Sequence, residues 1–189
     1  MRYTRVSLLV SGLGLSLIQA LAPGWGKAEP VVACDTAAYV VDPDPKGLNV
    51  RSGPGKGFGV TAVLPTRQAE PMVKVNVEIS GYSAGWLRIS QARDYEGRPL
   101  LKKPGWVHAS MLATSTRTGP QQKVSLLQRP DARAAVAARI PELSQVGLIS
   151  CRGPWLEVRQ GKAPVSGHGV NSGWLRREDQ CPLSETTCP

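Results

Sequence analysis

The two halves of the chain repeat the same pair of tryptophan segments, and this repeat constrains the fold more than any other feature. In the first half, Gly85-Trp86-Leu87 is followed by Gly105-Trp106-Val107. In the second half, Pro154-Trp155-Leu156 is followed by Gly173-Trp174-Leu175. The two tryptophans lie 20 residues apart in the first half and 19 in the second. A repeat of this length predicts two small structural units of the same kind in one chain.

The sequence pattern of both halves is that of an all-β protein. Short alternating segments are separated by clusters of Gly, Pro, Ser and Asn. In the clearest strand, β-branched residues alternate with polar ones and so share one face; they are Val73, Val75, Val77 and Ile79. A helical tendency is confined to the alanine-rich segment 131–139, which is too short for more than a turn or two.

A stretch rich in Thr, Ser, Gly, Pro and Gln, residues 114–122, reads as a linker between the halves. We therefore expect a first domain over residues 37–113, a second over 123–182, and a C-terminal tail over 183–189. Domains of this size bury little core. Disulfides, typically contributing about 2 to 4 kcal/mol each, would then supply a needed part of the stability.

The N-terminal 28 residues predict export. Arg2 and Arg5 precede an uncharged apolar stretch over residues 6–22, the pattern of a signal peptide. Small residues favour cleavage after Ala28, which leaves Glu29 as the mature N-terminus. A membrane anchor is a minority alternative, because the apolar run is short and is broken by glycines.

A second processing site competes with this one. Residues 31–34 match the loose lipobox pattern, with Cys34 as the residue that would be lipidated. Eleven residues separate Cys34 from the apolar stretch, whereas a lipobox directly follows such a stretch. We expect a periplasmic or secreted protein with no integral membrane span after cleavage, with lipoprotein anchoring at Cys34 as the minority alternative.

Export makes disulfides the default state of the cysteines. The chain has an even number of them, Cys34, Cys151, Cys181 and Cys188. Three pairings are possible, and the sequence weakly favours Cys151 with Cys181 and Cys34 with Cys188. His108 and His168 are not spaced with the cysteines as zinc ligands would be, and no C-x-x-C occurs. No metal or other cofactor is expected.

The charge balance indicates the kind of partner. The chain has 23 basic and 14 acidic residues. Three basic residues lie in the signal peptide, so the mature chain carries a net charge of +6. This suits an anionic partner such as the cell wall, although a solvated surface that keeps the protein soluble is an equally good explanation. Nucleic acid is a poor candidate, because the basic residues are scattered and the protein is exported.

One segment carries a specific family signature. The strand-and-turn sequence 48–55 reads L-N-V-R-S-G-P-G, and two Gly-Trp strands follow it. The first half thereby resembles the bacterial SH3 (SH3b) domain family, whose members open with an L-N-V-R-S-G-P-like strand and close with G-W-V. The matching positions are Asn49, Arg51, Ser52, Gly53, Trp86, Gly105 and Trp106. The second half resembles the family more weakly, because Leu127-Gln128-Arg129 replaces the Arg-Ser-Gly.

The resemblance implies two small SH3-like barrels in tandem, of five to seven strands each, used for binding. Several members of the family target bacterial proteins to peptidoglycan, and others mediate protein contacts. Most of the matching positions serve the fold, so the resemblance names an architecture better than a ligand.

Alternation selects the candidate ligand-binding residues. Leu87 and Ile89 share one face of their strand, which places Trp86 and Arg88 on the opposite face. Arg51 points outward from the signature strand, and Tyr95 lies in the insertion 93–103 between the tryptophan strands. An exposed indole beside a guanidinium would suit a carboxylated sugar or peptide. The alternative is that the indole packs under a loop as a second small core.

We found no catalytic pattern and therefore expect no enzymatic activity. No cysteine begins a credible helix, and no phosphate loop precedes a helix. The first hypothesis is a non-catalytic cell-envelope binding module that recognises peptidoglycan or another anionic wall component. The alternative is a periplasmic adaptor or inhibitor that binds a protein partner through its SH3-like barrels.

Overall fold

The computed structural model describes residues 29–66, 74–117, 123–161, 171–183 and 188. These residues form an all-β structure, which confirms the predicted fold class. The predicted signal peptide, Val73, most of the predicted linker and residues 162–170 lie outside the described residues. Within the described part, no helix is long and apolar enough to cross a membrane.

Thirteen strands and two short 3-10 turns make up the described part of the chain. The first seven strands are β1 Val32–Val40, β2 Leu48–Arg51, β3 Val60–Leu64, β4 Asn76–Ser83, β5 Trp86–Arg93, β6 Gly105–His108 and β7 Leu112–Thr116. The other six are β8 Lys123–Leu127, β9 Val136–Pro141, β10 Gln145–Arg152, β11 Trp155–Gln160, β12 Ser172–Leu175 and β13 Gln180–Cys181. The 3-10 turns, Ala109–Met111 and Arg177–Asp179, precede β7 and β13.

The strand order shows how the two repeats are joined. The first half is ordered β3-β2-β6-β5-β4-β1-β7, and the second half is ordered β9-β8-β12-β11-β10-β7-β13. Strand β7 therefore closes the first repeat and also occupies, in the second repeat, the place that β1 has in the first. Thr114 to Thr116, which the sequence assigns to the linker, belong to this shared strand.

The alternation of β5 and β6 builds the core of the first half. Leu87, Ile89 and Val107 point to one face and are completely buried. Leu156, Val158 and Leu175 do the same in the second half. The aliphatic face of each tryptophan strand is therefore the core face, as the alternation predicts. Burying each such side chain contributes roughly 1.5 to 3 kcal/mol.

The glycine of each second Gly-Trp segment has a steric reason. A Cβ at Gly105 would lie 2.3 Å from Cγ1 of Val50, and one at Gly173 would lie 2.8 Å from the carbonyl oxygen of Leu127. Strands β6 and β12 thus run so close to β2 and β8 that no side chain fits between them. The repeat preserves this glycine because the same close approach occurs in both halves.

A disulfide between Cys34 and Cys151 joins the two halves, and a second one between Cys181 and Cys188 holds the C-terminal segment. The weakly favoured pairing of Cys151 with Cys181 is therefore wrong. The beginning of β1 lies beside the β10–β11 turn, where Asp35 N donates to Gly153 O at 2.8 Å, so Cys34 meets Cys151. The Cys34 sulfur, being in a disulfide, is not available for a lipid thioether in this structure.

Polar contacts reinforce the same junction. Arg177 Nη1 lies 2.6 Å from Oδ2 of Asp35, which ties the second 3-10 turn to β1. The buried hydroxyl of Thr36 donates to Oε1 of Gln180 at 2.6 Å, and the Gln180 amide donates to Pro154 O at 2.9 Å. Hydrogen bonds inside a buried network position its members precisely. The two halves therefore share a strand, a disulfide and a polar network.

The alanine-rich segment does not form a helix. Residues 131–135 make a turn, and the strand β9 begins at Val136 and pairs with β8. Helix propensity is weak in so short a segment, and the pairing with a neighbouring strand overrides it.

Candidate functional site

Cross-strand register brings several of the predicted residues into one row. Arg51 of β2 lies opposite Trp106 of β6, and Trp106 lies opposite Arg88 of β5. Side chains of directly opposite residues share a face, with Cβ atoms about 4.5 to 5.5 Å apart. The next pair in the same register is Trp86 with His108. We call Trp86, Arg88, Trp106 and His108 the tryptophan face; it lies opposite the aliphatic core face.

The indoles of the tryptophan face are largely covered. Trp86 retains 9% and Trp106 retains 8% of its possible exposure. The Trp86 ring meets the His108 ring edge-on, with centroids 5.4 Å apart and planes at 90°. The indoles therefore pack as a second small core, the alternative that the sequence analysis left open. Only their margins are available to a ligand.

Arg51 is engaged by its own loop. Its Nη1 donates to the backbone oxygens of Lys56 at 3.1 Å and Phe58 at 2.7 Å. The Phe58 ring packs on Gly53, where a Cβ would come within 2.4 Å of it. Arg51 thus holds the loop 52–59 closed beside the tryptophan face, which makes it a positioning residue for that loop.

Tyr95 does not join the others. It follows the end of β5, whereas Trp86 begins that strand, so roughly 20 Å of strand separates them at about 3.3 Å per residue. Its hydroxyl donates to Glu96 at 2.8 Å.

The turn that carries Tyr95 is fixed by Asp94. Asp94 accepts hydrogen bonds from the backbone of Glu96 and from both the backbone and the side chain of Arg98. Burial would raise the pKa of Asp94, but the hydrogen bonds and charge of Arg98 outweigh it and lower that pKa. Leu100 and Leu101, farther along the insertion, pack against the chain's own core. The insertion is thus built around internal contacts.

The electrostatic surroundings of the tryptophan face are positive. Arg88 is exposed, and the pKa of His108 is lowered, first by burial and then by the charges of Lys56 and Arg159. The charges that act on His108 are therefore cationic.

Sequence reasoning missed Trp106 and His108 as members of the site. The nearly equal spacing of the tryptophans in the two halves was the signal, because it marks both tryptophan strands of each half as parts of one repeated unit.

The second half carries the same row with different chemistry. Leu127 lies opposite Trp174, and Trp174 lies opposite Glu157. An aliphatic side chain stands where the first half has Arg51, and a carboxylate stands where it has Arg88. Glu157 accepts a hydrogen bond from the Ser150 hydroxyl. Arg51 and Arg88 therefore have no basic counterparts in the second half, although Arg159 of that half adds a positive charge near His108.

A serine and a histidine lie in contact at the edge of the face. Ser110 Oγ and His108 Nδ1 are 2.7 Å apart, across the start of a 3-10 turn. A hydroxyl beside an imidazole is a pairing that nucleophilic catalysis uses, but catalysis also needs a third group that orients the base. Among the described residues, no hydrogen bond orients the other ring nitrogen. Over the same residues, no group of three His, Cys, Asp or Glu could hold a metal ion.

No protein-family model matches the chain. A curated protein from Bacillus subtilis (strain 168), "Putative N-acetylmuramoyl-L-alanine amidase YrvJ", is 25% identical to it over 133 residues. That match covers 67% of this chain and 24% of the relative, so the chain spans about a quarter of the relative's length.

Two solved structures, NlpC2 and NlpC1 from Trichomonas vaginalis, each align with 12% identity and a TM-score of 0.29. They cover 77% and 88% of this chain, and 47% and 50% of their own chains. Likenesses this distant carry no argument about function.

The match to a protein named as an amidase contradicts the expectation that this chain is not an enzyme. That expectation was drawn from the sequence alone and did not take account of the G-x-S-x-G sequence at residues 81–85, which lies at the end of β4 and in the turn to β5, with Ser83 buried. The match to this relative, in contrast, agrees with the envelope context that the sequence predicts.

Proposed function

We propose that the chain binds peptidoglycan in the cell envelope, and that the tryptophan face of its first half, an SH3b-like unit, makes the contact. The observation that carries the proposal is the row of Arg88, Trp106 and Arg51 beside His108, with Lys56 and Arg159 acting on the same imidazole. The similarity to a protein named for an amidase of N-acetylmuramoyl-L-alanine supports a wall ligand. Export directed by residues 1–28 would bring the chain to that ligand.

The chemistry of the face matches a carboxylated glycopeptide. Peptidoglycan carries carboxylates on its stem peptides, and an exposed guanidinium binds a carboxylate through two parallel hydrogen bonds. Arg88 is the exposed guanidinium of the face. The margins of the two indoles offer apolar contact to a sugar ring or a peptide methyl group. Arg51 contributes by holding the neighbouring loop in place.

The experiment is sedimentation of the mature protein with purified sacculi, with the bound fraction followed against protein concentration. We expect saturable binding that weakens as salt is raised, since exposed charges are screened. Arg88→Glu gives the first half the carboxylate of the second, and should weaken binding about tenfold or more, the scale of a charge-assisted hydrogen bond. Arg139→Glu on β9 is the matched control, because it makes the same charge change at an exposed position of the other half.

A reciprocal substitution in the second half provides an independent test of the site. Glu157→Arg places a cation beside Trp174 and should strengthen binding in the wild-type background. Soluble muropeptides are measured in the same tubes, so that cleavage of the wall is not mistaken for loss of binding. Equal binding by the Arg88→Glu and Arg139→Glu variants would refute the site. Absence of sacculus binding by the wild type, with one discrete protein co-purifying instead, would favour the adaptor hypothesis.

A further inference from the structure

A cleft of about 740 Å³ opens where the two halves meet, and the four residues of the tryptophan face do not line it. Its walls come from β1, from β4 and β5 of the first half, and from the second 3-10 turn. A smaller pocket of about 150 Å³ continues it, and the two share Ala37, Glu78 and Pro182. The volume falls within the range of about 300 to 1,000 Å³ that is typical of ligand sites. We call the two together the junction groove.

The junction groove contains the two buried side-chain polar atoms that lack a hydrogen-bond partner among the described residues. They are Nε of Arg117, in the larger part, and Oδ1 of Asn76, in the smaller part. A buried donor or acceptor without a partner costs about 1 to 3 kcal/mol. One of these atoms is a donor and the other an acceptor, and both line one continuous groove.

Some of the charged side chains along the groove are already paired with one another. Arg177 is paired with Asp35 at 2.6 Å, so the charges of these two groups are already matched. Glu78 is exposed and forms no ion pair with the described residues. Arg117 donates from Nη1 to Glu178 O at 3.4 Å and keeps its Nε unsatisfied. A carboxylate and a guanidinium thus remain for a ligand.

We infer that the junction groove binds a short peptide that has a free amino group and a carboxylate. A peptide supplies both a carbonyl oxygen for Arg117 Nε and an N–H for Asn76 Oδ1. Its ammonium group meets Glu78, and its carboxylate meets the Arg117 guanidinium. Pro182 and the partly exposed Leu183 form an apolar wall for one small side chain. The inference does not depend on the tryptophan face.

The test uses trialanine with free termini and ¹H–¹⁵N spectra of the mature protein, in which arginine Nε–Hε signals are observed directly. The Arg117→Lys variant assigns the signal of Arg117 because it removes it. We expect that signal to move saturably as trialanine is added. N-acetylated trialanine amide, which lacks both charges, should bind at least tenfold more weakly.

Two variants separate a binding role from a structural one. Glu78→Gln changes an exposed side chain and should weaken trialanine binding about tenfold without altering the fold. Arg117→Gln should weaken it similarly, while Arg139→Gln, with the same loss of charge on β9, should leave it unchanged. The inference is overturned if the Arg117 signal does not move, if the blocked peptide binds equally well, or if Glu78→Gln binds like the wild type.

Discussion

Removing the disulfide between Cys34 and Cys151 should destabilise the protein much more than removing the one between Cys181 and Cys188. The perturbations are the double substitutions of each pair to alanine. The first disulfide spans 117 residues of sequence and the second spans 7. Both cysteines of the first pair are at most 9% exposed, whereas only Cys181 of the second pair is, so any difference in lost packing acts in the same direction.

The difference follows from the chain entropy of the unfolded state. A cross-link that closes about 117 residues restricts the unfolded chain by about 4.9 kcal/mol, and one that closes about 7 residues by about 2.4 kcal/mol. The variant without Cys34–Cys151 should therefore be less stable than the other by about 2.5 kcal/mol. For a protein of this size that corresponds to a melting temperature lower by roughly 5 to 10 °C.

The assay is equilibrium unfolding in guanidinium chloride, followed by tryptophan fluorescence, on the oxidised mature protein and both variants. The free energies of unfolding are compared only where their dependence on denaturant concentration has the same slope in all three proteins. A change in the compactness of the unfolded state is then not mistaken for a change in stability. Peptide mapping without reductant should first recover Cys34 linked to Cys151. Equal losses in the two variants, or a larger loss from removing Cys181–Cys188, would refute the reasoning.

Three further predictions follow from the architecture. A fragment of residues 123–189 should remain unfolded, as seen by circular dichroism, because it lacks the shared strand β7; a folded fragment would contradict the shared role of that strand. Gly105→Ala should lower the free energy of unfolding by about 1 to 3 kcal/mol, because its Cβ would clash with a buried valine, whereas Gly147→Ala, which has open space, should not lower it. NMR titration of His108 should give a pKa below that of a free histidine, and Lys56→Gln should raise that pKa by removing a positive neighbour; an unchanged pKa in the variant would show that Lys56 does not contribute to the lowering.

Much of the fold was available from the sequence. Alternation in the tryptophan strands identified Leu87, Ile89 and their counterparts as core residues, because neighbouring side chains on a strand must point to opposite faces. The repeated pair of tryptophan segments predicted two units of the same kind. The site was predicted less well: Arg88 and Arg51 do lie in one row, but Trp86 is covered, and Tyr95 lies at the far end of its strand.

The sequence by itself determined the period-2 pattern, the repeat and the cysteine count, since each of these is a property of neighbouring residues or of composition. Only the tertiary structure decided which cysteines pair, because Cys34 meets Cys151 through the packing of β1 against the second half. It also decided that residues 114–116 form a shared strand, since pairing with β1 and β10 depends on residues far away in the chain. Cross-strand register placed Trp106 between two arginines. The hydrophobic pattern fixes the face that each side chain takes, but no tight turn joins β6 to β2 or to β5, so the pairing of individual residues is decided in the folded sheet.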